Sequence, residues 1–256
     1  MTMDTPEPSR QGAGRRRFLW IAAIVLAGIL LAGLVLHFIR ENIDSSAPGW
    51  ALLSGTAILL YADGEANLWA WISGLLLAGV GVALGVVGFT ARHEGRAALP
   101  YFLLGAVALE MSADEIAQLH EKLARFNLGS SFTFAWLTLG VPLAIAAGLV
   151  VLWIARRLDR RLRRRLIVAG TIYLLGAVGI EALSGYIVGG RQDDLARASL
   201  EYHVLLGVEE SLEAAGALLA LAATLAALSI ERTTAGIVVR TRFEVSQIRR
   251  NTSHVD

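Results

Sequence analysis

The chain has 256 residues, 55% of them hydrophobic and 18% charged, with no cysteine and a formal net charge of +1. A mean hydropathy of +0.57 is too apolar for an ordinary soluble domain of this length and points to a polytopic membrane protein. The missing cysteines exclude disulfides and thiolate metal sites outright.

Residues 1–17 form a polar tail ending in Arg15, Arg16 and Arg17. Six stretches come after it that suit a hydrocarbon core of about 30 Å, which needs about 20 apolar residues to cross. They are Phe18 to Ile39, Leu68 to Thr90, Leu99 to Leu119, Phe132 to Ala155, Leu166 to Val188 and Glu201 to Ile230. The first is too long for a signal peptide and lacks a small-residue exit, so it reads as a retained anchor. Between the first two, "APGWALLSGTAILLY" from Ala47 is too short to cross and reads as an outer interfacial or re-entrant piece within 47–66. Trp69 and Trp71 suit an interfacial belt. Small residues four or three apart, Gly28 with Ala32, Gly81 with Gly85 and Gly176 with Gly179, would let helix backbones approach. After the sixth stretch, "GIVVRTRFEVSQIRRNTSHVD" alternates like a strand but has no evident partner, so 231–256 reads as a cytoplasmic extension.

Basic residues orient the spans, because Lys and Arg collect in short cytoplasmic loops. With the N-terminus inside, that face holds 18 of them against 5 on the other, which sets both termini in the cytoplasm. The run "RRLDRRLRRR" from Arg156 then reads as a topology determinant touching anionic lipid, and no nucleic-acid partner is expected. The expected fold is all-α: a six-helix integral membrane bundle (18–230), with the lipid bilayer as its partner.

Ionisable groups within spans cost about 2.5 to 3.5 kcal/mol each on insertion scales and usually face the bundle interior. The third span carries Glu110, Asp114 and Glu115, with His120 and Glu121 at its outer end; the fifth carries Glu181; the sixth carries His203, Glu209, Glu210 and Glu213. At about 100° per residue, Glu110, Asp114, Glu115, Gln118 and Glu121 share an arc of roughly 140°. Tyr202, His203, Leu206, Glu209, Glu210 and Glu213 share one of roughly 120°. The two spans run in opposite directions, so their residues can be matched by depth. His120, Glu121 and His203 fall at the outer mouth, Asp114, Glu115, Glu181, Glu209 and Glu210 below them, and Glu110 and Glu213 near the midplane. Asp63 and Glu65 would lie at the same mouth.

No basic residue within the spans balances these acids, so either several hold protons or a cation sits among them. Carboxylates with histidine and no thiolate suit iron, manganese or zinc. The expected ligands are Asp114, Glu115, Glu181, His203 and Glu210, with Glu110, His120, Glu121, Glu209, Glu213 and Glu65 as alternatives or supporting groups. A metal there could activate water or dioxygen against a lipid-like substrate. The Glu-x-x-His spacing of soluble carboxylate-bridged bundles is absent, since Ala117 stands three before His120. A bound divalent metal is the preferred reading, and a proton- or cation-coupled transporter or channel using the same acids as a relay is the alternative. Neutral acids joining helices in a structural module form a third reading. Ser-His-Asp spacing, a Walker loop, a dinucleotide fingerprint and H-E-x-x-H are all missing.

"SADEIAQLHE" from Ser112 and "VEESLEAAGALLAL" from Val208 resemble an uncharacterised family of bacterial multi-pass membrane proteins with S-x-D-E-x4-H-E and E-E-x-x-E on separate helices. "EANLWAW" from Glu65 is similar to that family's E-x-N-x-P-T-W, with Trp69 in place of the proline and Ala70 in place of the threonine. The resemblance spans about residues 60–225. It supports the choice of residues and implies no particular chemistry.

Overall fold

The computed structural model describes residues 8–63, 67–117, 137–188, 199–234 and 236–243. These are helical except for a two-stranded hairpin. In chain order the elements are α1 (Pro8–Asn42), α2 (Trp50–Leu60), α3 (Leu68–His93), α4 (Leu99–Ala117), α5 (Leu137–Ala155), α6 (Arg160–Leu174), a π-helical turn (Leu175–Ile180), α7 (Glu181–Val188), α8 (Leu200–Ala226), β1 (Leu228–Thr233) and β2 (Gly236–Thr241). Among the described residues three helices are long and apolar enough to cross a membrane: Arg16–Asn42 within α1, all of α3, and Arg160–Ile187, which joins α6, the π turn and α7. α2 has 11 residues, about 16 Å of helix, too short for a crossing.

Side chains set the helix starts. Asn67 caps α3 by accepting from the Ala70 amide at 2.9 Å, and its own amide donates to the Tyr61 carbonyl at 2.6 Å. The exit of α2 and the start of α3 are thereby tied together. Asp159 caps α6 through the amides of Arg161 and Leu162. The part of the arginine-rich run from Arg160 onward is therefore the first turns of a helix that begins six residues before Leu166. Arginine is a good helix former, and its chains extend outward at no packing cost. Ser199 caps α8, leaving Glu201 in the first turn, where a negative charge meets the positive end of the helix dipole.

Close helix packing runs through specific glycines. A Cβ on Gly81 would lie 2.9 Å from the Gly105 carbonyl oxygen, and one on Gly105 would lie 3.0 Å from that of Gly81, so α3 and α4 touch backbone to backbone. A Cβ on Gly216 would lie 2.7 Å from the Tyr173 backbone nitrogen, and one on Gly176 would lie 2.7 Å from the Glu209 carbonyl oxygen. α8 is thereby pressed onto α6 and the π turn. In α1 the tight glycine is Gly33, against the Leu60 carbonyl, whereas Gly28, Gly85 and Gly179 meet nothing close outside their own helix. α8 also packs on α3 and α1 and so lies at the centre of the bundle.

The sixth stretch ends at Ala226 rather than Ile230, and the tail does have a partner strand. β1 pairs antiparallel with β2, from Leu228 opposite Thr241 to Thr233 opposite Gly236. Leu228 and Ile230 extend the apolar run of α8, which hid the alternation of "LSIERT" from a helical reading. Gly236, at φ 137°, takes a backbone conformation that other residues rarely adopt.

Gly216→Ala should lower stability by about 1 to 3 kcal/mol through overpacking against Tyr173. Gly28→Ala, in open space, should stay within about 0.5 kcal/mol of the parent. Unfolding of the purified protein in mixed detergent, with both variants side by side, checks the contrast.

Candidate functional site

Gly176 and the π turn carry the first consequence for chemistry. A π turn inserts one residue into the helical ladder and re-aims the side chains beyond it, and the first residue beyond this one is Glu181. With Gly176 seated on the Glu209 backbone, Glu181 is brought to the α8 glutamates. Glu209, Glu210 and Glu213 lie in electrostatic reach of one another and of Glu181, and Glu210 and Glu213 also in reach of Glu115.

These acids line one cavity of about 970 Å³. Glu110, Asp114 and Glu115 enter it from α4, Glu181 from α7, Glu209, Glu210 and Glu213 from α8, and Asp63 from the connection between α2 and α3. Leu77, Val80, Leu104, Val151 and Leu166 supply an apolar wall. No Lys, Arg or His is among the described residues of the lining. Of the acids on α4, Glu110 is exposed, while Asp114 and Glu115 are half-buried.

Hydrogen-bond donors hold several of the acids. The indole Nε1 of Trp69, a residue only 2% exposed, donates to Glu210 Oε2 at 2.5 Å. Tyr173 shares a hydrogen bond with Glu213. The Tyr202 hydroxyl donates to Asp63. Trp69 is thus no interfacial anchor: the large side chain that stands where the resembling family has proline crosses from α3 to fix a glutamate on α8. Trp71, by contrast, is 55% exposed.

Among the five expected metal ligands, Asp114, Glu115, Glu181 and Glu210 line the cavity, and Glu110, Glu209 and Glu213 join them. His203 is not in the lining. Its Nδ1 shares a 2.8 Å hydrogen bond with the Tyr61 hydroxyl, and its ring stands 5.2 Å from that of His37, which stacks on Tyr61 at 3.9 Å. Among the described residues no group of three or more His, Asp or Glu is placed to share a metal ion. His120, Glu121 and Glu65 lie outside the described residues. Sequence reasoning missed Tyr173, Tyr61, His37 and the role of Trp69. A search for donors on helix faces opposite the acids could have found Tyr173 and Trp69; His37 and Tyr61 left no such signal.

From residue 18 to residue 228 the chain matches a family described as Domain of unknown function (DUF8692), and it belongs to that family. The match agrees with the resemblance to an uncharacterised family. No curated protein and no solved structure matches the chain.

Trp69→Phe should cost about 1 to 3 kcal/mol, because it leaves the Glu210 carboxyl without its donor in a buried setting. Trp71→Phe should change stability by less than about 0.5 kcal/mol. Equal unfolding midpoints for the two variants would show that the Trp69–Glu210 bond contributes nothing.

Proposed function

We propose that this member of the family is a polytopic membrane protein that passes protons, or small cations in their place, through the acid-lined cavity bounded by α4, α7 and α8. One observation carries the reading: eight carboxylate side chains from three helices and one connection line a single cavity. Carboxylic groups at membrane depth are expensive, and facing a shared polar space is what makes them tolerable and useful. Among the described residues no three of these acids are placed to share one ion, and tyrosine hydroxyls at Glu213 and Asp63 add groups that can both accept and release a proton. That arrangement suits stepwise transfer.

In this reading α1, α3, α4, α5, the α6–α7 helix and α8 are six crossings of a bacterial inner membrane, with both termini inside and α2 at the outer surface. α4 and α5 have 19 residues each, about 28 Å of helix, close to the hydrocarbon thickness. α8 has 27 residues, and its glutamates are what lower its hydropathy. The arginine excess on the loops of one face supports the orientation.

A resident iron, manganese or zinc ion is the second reading, favoured by Asp114, Glu115, Glu181 and Glu210 all lining the same cavity. The two separate in one preparation. Protein reconstituted in vesicles with a pH-sensitive dye inside should dissipate an imposed proton gradient, and Glu210→Gln and Glu213→Gln should each slow it at least about tenfold. Wild-type flux no faster than that of protein-free vesicles, with stoichiometric metal in the purified protein, would overturn the relay in favour of the metal centre.

A further inference from the structure

The β1–β2 hairpin takes no part in the acid cavity, and its surface is unusual for a segment meant to stand in water. Cross-strand partners share a face, so Leu228, Ile230 and Arg232 of β1 lie on the same side as Thr241, Val239 and Ile237 of β2. At the root of that face Leu228 packs against the core. Farther out, Ile230 is 56%, Ile237 68% and Val239 37% exposed. The opposite face carries Ser229, Glu231 and Arg240, together with Val238.

The root of the hairpin is fixed firmly. Glu94, just past α3, accepts hydrogen bonds from the Thr241 amide at 2.9 Å and from its hydroxyl. The Arg242 amide donates to the Ala227 carbonyl at 2.7 Å. Phe243 stacks on Tyr101 with centroids 5.6 Å apart and carries the Arg96 guanidinium over its ring at 5.3 Å. Phe243 also belongs to the buried cluster that contains Leu158 and Leu162, so the hairpin stands at the end of the bundle that bears the arginines from Arg156 onward. A rigid root therefore holds an apolar patch at the arginine-rich end of the helices.

A two-stranded hairpin alone is marginal in water, and an apolar face on it calls for cover. Three side chains fall far short of the roughly 800 Å² per partner of a stable protein interface, which argues against a second copy as the cover. Branched aliphatic side chains with Arg232 on the same face, at the arginine-bearing end of helices apolar enough to span, match the chemistry of a bilayer surface with anionic headgroups. We infer that the hairpin lies on that surface, with Ile230, Ile237 and Val239 seated at the boundary between headgroups and acyl chains and Arg232, on the same face, against lipid phosphates. The inference is independent of what the acid cavity carries.

The absence of native cysteine makes the test direct, since Ile237→Cys and Glu231→Cys each create a single labelling site. The full chain, labelled with an environment-sensitive fluorophore, is placed in nanodiscs of phosphatidylcholine with or without phosphatidylglycerol. At position 237 the probe should be quenched by brominated lipid and shielded from iodide, more so in the anionic discs. At position 231, on the other face, it should remain open to iodide. Replacing Arg232 with glutamine should weaken the protection at 237 by about fivefold. Full iodide access at 237 in both lipids would overturn the inference, as would equal lipid contact at 231 and 237. So would protection that appears only in discs holding two chains.

Discussion

The approach of α8 to the α6–α7 helix is the constraint on which the rest of the architecture depends. Two glycines permit it, Gly176 against the backbone of Glu209 and Gly216 against that of Tyr173. Without that approach Glu181, Glu209 and Glu213 would face separate surroundings. With it, their desolvation is shared across one cavity, together with the acids of α4 and with Asp63. The packing and the chemistry therefore have a common cause, as small residues do in lipid, where helices gain little from hydrophobic burial against each other.

A second layer of support comes from aromatic donors. Trp69 and Tyr173 reach the acids from neighbouring helices, and each satisfies one carboxyl while its ring fills space that a polar residue could not. The π turn completes the geometry by placing Glu181 immediately after a local break in the helical ladder, the kind of irregularity that recurs at functional sites. Leu77, Val80, Leu104, Val151 and Leu166 contribute apolar surface to the same cavity. Its acidic groups come from α4, α7, α8 and the connection before α3.

Much of this was legible in the residues alone. A period of 3.6 placed Glu110, Asp114 and Glu115 on one face and Glu209, Glu210 and Glu213 on another, and matching depths between antiparallel spans brought them to one cavity with Glu181. Helical geometry fixes level and azimuth, and those were enough for the acids. They were not enough for His203, whose azimuth is only slightly different but whose ring is drawn toward Tyr61 and His37, a pairing between distant segments that no local pattern records. Trp69 looked like an interfacial residue because a tryptophan at a span end usually is one. The hairpin escaped because Leu228 and Ile230 continue the hydrophobicity of α8 without a break, and only the tertiary anchors at Glu94 and Phe243 favour the strand.

Whether acids from α4, α7 and α8 face one shared space can be measured in the membrane itself. Single and paired cysteine substitutions at Asp114, Glu181 and Glu209, in a chain that has no other cysteine, followed by treatment in membranes with a short bifunctional maleimide, test it most directly. Efficient cross-linking of 181 to 209 and of 114 to 209, with each single site reached by a small water-soluble maleimide, is the predicted result. Failure of both pairs to link, with the single sites reacting only with lipid-phase reagents, would contradict the shared cavity.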